Sequence, residues 1–185
     1  TKDILAQLLA TKYKVEKTQG NFNNEIGLPL TILDMPMDTE IAVLEMGMSS
    51  LGEISRLAHI APCDVAIITS IGSAHLSDLG SIDNIIKAKL EITETLKEDG
   101  VLIINGDHPS LIKHVESLEL TQPVYTYGLK AHNQFHISSI SQFVDGIVFT
   151  CEALSEDIIE VNLLGRYQAQ NVVGSLIAAQ YFDLS

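Results

Sequence analysis

Val65-Ala-Ile-Ile-Thr69, then Ser70-Ile-Gly72, then the helical pattern of Ser81 to Lys97, then Val101-Leu-Ile-Ile104: this stretch decides the fold. Two short, wholly apolar runs rich in β-branched residues bracket one amphipathic helix. Strands buried on both faces read as continuous apolar runs, and parallel neighbours need a helical crossover, so the stretch predicts a β–α–β unit. At about 100° per residue, Ile82, Ile85, Ile86, Leu90, Ile92, Thr93 and Leu96 form one face of that helix. Lys87, Glu91, Glu94 and Glu98 project from the other. Lys89 falls near the middle of the apolar face. An ammonium there needs a partner, a shifted pKa or a covalent change of state. On its own, the residue is read first as a lysine whose stem lies on the helix while its amine reaches water.

Outward from this unit the same alternation continues. Lys2 to Thr11 has helical spacing, Tyr13 to Glu16 is a short strand, Gly20 to Asn24 an Asn-rich loop, and Glu25 to Leu33 a helix despite Pro29. Ile41 to Leu44 is a compact apolar run ending at Glu45, and Gly52 to Ile60 is a short amphipathic helix. Beyond Val101, Leu111 to Leu118 is helical and Val124 to Tyr127 is a strand. Short buried strands alternating with helices predict an α/β domain with a doubly wound, mostly parallel sheet flanked by helices. After Gly128 the pattern changes: Phe135 to Ile140, Gly146 to Thr150 and Ile158 to Leu163 read as strands with no helix between them. They predict a small antiparallel set over 129–164, attached to an α/β core over 1–128. A returning apolar helix, Gln168 to Phe182, closes the segment 165–185.

The 185 residues fit one domain able to bury a sizeable core, and 46% hydrophobic with 19% charged residues is ordinary for a globular protein. A net charge of −13 excludes a nucleic-acid surface, because no basic stripe could replace phosphate counterions. A small anion would need a local device such as a helix N-terminus, a metal ion or a basic residue. No run reaches the roughly 18 to 20 residues of a membrane helix, so no membrane insertion is expected. The two cysteines, Cys63 and Cys151, lack metal-ligand spacing, and a reduced, cytoplasmic setting is the expectation. The apolar ending at Ser185 leads us to expect a piece of a larger protein.

In parallel α/β sheets, ligands gather outside the carboxyl ends of the strands. Glu45 follows one such end, His75 follows another by one loop, and Lys89 lies 14 residues further on. Separately, Glu45 reads as a cap for the next turn and His75 as a satisfied loop histidine. Together they are a carboxylate, an imidazole and a buried lysine, the ingredients of a divalent-cation site beside a phosphate. A lysine serves a cation only without its charge; carbamylation by carbon dioxide would make it an anionic oxygen ligand.

Four motifs carry a more specific reading: Thr18-Gln-Gly-Asn-Phe-Asn-Asn-Glu-Ile-Gly-Leu-Pro29, Leu44-Glu-Met-Gly47, Ile71-Gly-Ser-Ala-His75 and Ala88-Lys-Leu-Glu-Ile92. Their order resembles that of the Mur ligases, the ATP-dependent amide ligases of peptidoglycan precursor synthesis, and the likeness covers nearly the whole chain as that family's central ATP-binding domain. The Gly20-Asn-Phe-Asn-Asn24 form most resembles the branch that adds D-alanyl-D-alanine to UDP-N-acetylmuramoyl-tripeptide. The resemblance implies ATP and magnesium as cofactors, Glu45 as the carboxylate on a magnesium between the terminal phosphates, and His75 with carbamylated Lys89 on a second magnesium. It places Asn21, Asn23 and Asn24 in the loop that approaches the UDP-muramyl substrate, Asn24 first among them. Such a loop is also simply a turn.

Gly165-Arg-Tyr-Gln-Ala-Gln-Asn171 resembles the family's Gly-x-His-Asn-x-x-Asn segment, whose last Asn reads adenine. That implies an adenine contact for Asn171, while Tyr167 and Gln168 stand in place of the usual His and Asn. An Asn early in an apolar helix is otherwise a cap or a packed polar residue. Asn105-Gly-Asp-His-Pro109 reads as a strand end, with Asp107 expected to cap the helix after Pro109. The family's phosphate loop, Gly-x-x-x-x-Gly-Lys-[Ser/Thr], occurs nowhere in these 185 residues. The resemblance therefore implies flanking domains of the same polypeptide, and no ligase activity for this piece alone. A folylpolyglutamate synthase or cyanophycin-type ligase, or a non-catalytic binding module, are the competing readings.

Overall fold

The apolar runs become strands and the amphipathic stretches pack over them. In the computed structural model, which describes residues 1–72 and 76–184, the order begins α1 (Lys2–Leu9), β1 (Val15–Lys17), α2 (Gly27–Leu33), β2 (Ile41–Val43) and α3 (Glu53–Ile60). It continues β3 (Val65–Ile68), α4 (Leu76–Leu79), α5 (Ile82–Leu90), β4 (Val101–Asn105), α6 (Pro109–Glu116) and β5 (Val124–Gly128). β3, β4 and β5 pair in parallel, Val65 opposite Val101 and Leu102 opposite Val124. β1 and β2 form a separate parallel pair, Val15 opposite Ile41.

β4 is buried along its whole length, as a strand covered on both faces must be. Its alternation divides the core. Ile103 faces Leu9, Tyr127 and Val173 on one side; Leu102 and Ile104 face Ile86, Ala88 and Leu111 on the other. Each fully buried Leu or Ile there contributes about 1.5–3 kcal/mol. α5 starts where Ser81, in an extended conformation, accepts a hydrogen bond from Asn84 N at 3.1 Å.

Three sequence expectations need correction. The helix expected to run from Ser81 to Lys97 ends as an α-helix at Leu90 and tightens into a 3₁₀ turn over Glu91–Thr95. The cause is tertiary: the Glu91 carboxylate accepts from Gly52 N at 2.7 Å and Ser55 N at 3.1 Å, capping α3 from outside, and Thr95 Oγ1 donates to Ala58 O. Phe135 to Ile140 is not one strand. β6 (Phe135–His136) adds to the main sheet parallel to β5, while β7 (Ser139–Gln142) pairs antiparallel with β8 (Ile147–Thr150), which pairs with β9 (Ile159–Val161). The change of sheet falls where Ile137 N donates to Gly128 O and Ser138 N to Thr150 O. Finally, Asp107 does not cap α6, whose first residue is Pro109 and whose end carries no side-chain cap.

α7 (Gln168–Tyr181) returns across the sheet, burying Val172, Val173, Ile177 and Ala178. Among the described residues, no helix is long and apolar enough to cross a membrane.

Candidate functional site

The carboxyl ends of β1 and β2 are stitched together by one fully buried hydroxyl. Thr18 N donates to Val43 O at 3.0 Å, and Glu45 N donates to Thr18 Oγ1 at 2.8 Å. Glu45 is thereby fixed just past β2 with its side chain reaching outward. Its Oε1 accepts from Asn23 Nδ2 at 2.9 Å, and its Oε2 lies 3.4 Å from Lys2 Nζ. Lys2 Nζ also donates to Gly20 O at 3.1 Å. The carboxylate therefore links α1, the Asn-rich loop and the β2 end.

Lys89 approaches the same space from α5. It is half-buried, and among the described residues its amine has no hydrogen-bonding or charged partner. Burial lowers its pKa from the ordinary lysine value, which raises the share of neutral amine. Lys87, two residues away, is exposed, as the helical spacing predicts. Glu45, Lys2, Asn23, Thr69 and Lys89 all line one cleft of about 660 Å³. The floor of this cleft is apolar, formed by Val43 of β2 and Val65 and Ile67 of β3, two strands whose facing edges are unpaired among the described residues. Cys63 also lines it, and burial pushes its thiol up to about 11, which keeps the free thiol protonated at neutral pH.

The other expected residues separate. His75 lies outside the described residues. Asn24 and Asn21 are exposed on the loop; Asn24 Oδ1 accepts from Ile26 N and Gly27 N at 3.1 and 2.8 Å, starting α2. Asn171 sits in the first turn of α7, where its Oδ1 accepts from Thr1 Oγ1 at 2.8 Å and its Nδ2 donates to Gln168 Oε1 at 2.9 Å. One proton of Nδ2 and one lone pair of Oδ1 are left over from these two bonds. Among the described residues, no cluster of three His, Cys, Asp or Glu side chains is assembled that could hold a metal. Glu45 is the carboxylate that shares the cleft with Lys89 at the end of β2, and Asp3, Glu40 and Asp64 line the cleft as well.

Two residues escaped the sequence reading. Lys2 is one; a cation in the first turn of a helix opposes the helix dipole, and that misplacement is the signal that marks it. Asp107 is the other, for its role. Its Oδ2 accepts from Leu129 N and Gln170 Nε2, both at 2.8 Å, and its Oδ1 from Lys130 N and Asn133 Nδ2 at 2.9 and 3.0 Å. It clamps the turn after β5 to the start of α7. A Cβ on Gly128, whose φ is +154°, would meet the Asp107 carboxylate at 2.4 Å, so glycine is required there. Burial alone would raise the Asp107 pKa, but the donors from Leu129, Lys130 and Asn133 outweigh it and hold the carboxyl below its ordinary value. A depressed native pKa contributes stability above the unfolded value, lost as pH falls through the native one. We therefore expect Asp107→Ala to cost about 2–4 kcal/mol at pH 7, since it strands several donors, and the gap to narrow below about pH 4. Urea midpoints of both proteins at pH 7 and pH 3 check this.

A parallel α/β sheet with a carboxylate and two lysines around one cleft beside β2 and β3 has the layout of a domain that takes a ligand at the strand ends. The chain matches the Mur ligase middle domain over residues 1–179 and belongs to that family. It is 46% identical, over 185 residues, to the UDP-N-acetylmuramoyl-tripeptide–D-alanyl-D-alanine ligase of Bacillus subtilis (strain 168), covering 100% of this chain and 39% of that protein. Among solved structures it resembles the MurF ligase of Thermotoga maritima in complex with ADP (TM-score 0.89, 32% identity, 100% of this chain and 43% of that one). MurF from Acinetobacter baumannii superposes with a TM-score of 0.90 at 25% identity, over 100% of this chain and 40% of that one. The chain thus spans about two fifths of the length of these relatives.

Proposed function

We propose that this chain is the ATP-handling domain of a ligase that joins D-alanyl-D-alanine to UDP-N-acetylmuramoyl-tripeptide in the cytoplasm. The observation that carries the reading is the placement of Glu45, Lys2 and Lys89, the last without a partner among the described residues, around one cleft beside β2 and β3. The 46% identity to the Bacillus subtilis ligase supports the choice of substrate. In the reaction, an oxygen of the muramyl tripeptide's terminal carboxylate attacks the γ-phosphorus of ATP, and ADP leaves. The amine of D-alanyl-D-alanine then attacks the acyl carbon of the resulting acyl phosphate; inorganic phosphate departs and the nitrogen gives up a proton, leaving an amide.

Two anions must meet in the first step, and the residues around the cleft answer that problem. Glu45 has the character of a magnesium ligand: it is fixed through its backbone and its side chain is 43% exposed. When bound, magnesium would supply charge neutralisation between the carboxylate and the phosphates. Lys2 adds a positive charge at the same edge. Lys89, more readily neutral because it is half-buried, can attack carbon dioxide through its nitrogen and lose a proton, becoming an anionic oxygen donor in the cleft. Asn171 is the residue for adenine. β2 and β3 both line the cleft and are not paired with each other, so a phosphate-loop strand from the same polypeptide would have a free edge to join.

A substrate panel tests the assignment. The full-length protein should release ADP only with both UDP-N-acetylmuramoyl-tripeptide and D-alanyl-D-alanine present; turnover with folate and glutamate instead would assign it to another branch. The 185-residue chain by itself, which lacks the phosphate-loop motif, should show no ligase turnover, and measurable turnover by it would contradict our account of the site.

A further inference from the structure

Asn23 and Gly47 behave differently from the rest of the Asn-rich loop. We propose that Asn23 is a positioning residue for the Glu45 carboxylate, seated by Gly47, so that the loop and the carboxylate form one unit. This rests on the reading of Glu45 as a cation ligand. The Asn23 amide presents Nδ2 to Glu45 Oε1 at 2.9 Å, the only half of an amide that can face a carboxylate. The backbone closes a second side: Gly47 N donates to Asn23 O at 2.7 Å. The third side is steric. A Cβ on Gly47 would stand 2.8 to 2.9 Å from the Cγ, Nδ2 and Oδ1 of Asn23, so only glycine leaves room for this amide against the strand end.

The consequence is a carboxylate with one oxygen tied to a neutral donor and the other, Oε2, toward Lys2 and the cleft. Unlike Lys2, Asn23 orients the carboxylate without adding a charge that would repel a cation. Hydrogen-bonded partners of metal ligands typically govern affinity by 10- to 100-fold. The same amide belongs to the loop whose exposed members, Asn21 and Asn24, face solvent. Displacing the loop would therefore turn Glu45.

The test is Mn2+ binding to the full-length protein without substrates, followed by electron paramagnetic resonance. Asn23→Ala should weaken Mn2+ affinity on the order of tenfold. Asn23→Leu, of similar size but without the donor, should weaken it to the same extent. Gly47→Ala should match Asn23→Ala, and if it fails to fold, Asn23→Leu still decides. Adding Asn23→Ala to Glu45→Gln should cause no further loss, because both changes act through one carboxylate. Wild-type affinity in Asn23→Ala, or additive losses in the double variant, overturns the proposal. Wild-type affinity in Glu45→Gln instead overturns the reading of Glu45 as a ligand, and so separates the two failures.

Discussion

Lys89→Met in the full-length protein should lower kcat for amide formation on the order of a thousandfold while leaving the fold intact. The size follows from what the residue is asked to supply: an anionic donor next to transferring phosphate, in a cleft where fixed charges act far more strongly than in water. Methionine has nearly the same length and no titratable group. Because the ammonium is half-buried and without a partner among the described residues, replacing it removes a desolvation cost, and the melting temperature should hold or rise. That separates loss of chemistry from loss of structure. Lys89→Arg should be as inactive as Lys89→Met, since a guanidinium does not become neutral and cannot be carbamylated. Lys89→Ala should recover part of its activity in added acetate or formate, whose oxygens can take the vacated place. Full activity in Lys89→Ala, with no response to carboxylates, would remove Lys89 from the site.

Glu45→Gln should lower kcat by about 10²- to 10³-fold and raise the magnesium concentration needed for half-maximal rate. The amide keeps the size of the side chain, and its oxygen can still accept from Asn23 Nδ2, but the negative charge that a cation needs is gone. The ion pair with Lys2 is exposed enough that its loss costs at most about 1 kcal/mol. Steady-state rates over a magnesium titration, set beside melting curves, distinguish the two effects. A variant whose magnesium dependence is unchanged would mean that the carboxylate serves only to hold the Asn-rich loop and α1 at the end of β2.

The parallel core was legible because its signals are local. Val65 to Thr69, the Lys89 helix and Val101 to Ile104 each carry their own periodicity, and the lysine out of phase with its helix face pointed to the cleft. What escaped the sequence depends on partners distant in the chain. The α-helix stops at Leu90 because the Glu91 carboxylate is taken up by α3, 36 to 39 residues earlier. Phe135 to Ile140 divides because Gly128 and Thr150 each claim one end of it. Asp107 looked like a cap beside Pro109, yet its acceptors meet donors from Leu129 to Gln170, a contact no local pattern encodes. Within the Asn-rich loop, composition cannot say which amide turns inward. Gly47, in a different motif, selects Asn23.

The central claim is that Lys89 becomes an oxygen donor in the cleft that Glu45 faces. It is tested most directly by equilibrating the full-length protein, ¹⁵N-labelled at lysine, with ¹³C-bicarbonate in the presence of magnesium and recording the ¹³C spectrum. Our account predicts one carbamate resonance coupled to a lysine ¹⁵N, absent from Lys89→Met. No carbamate resonance, or one that persists in Lys89→Met, would contradict it.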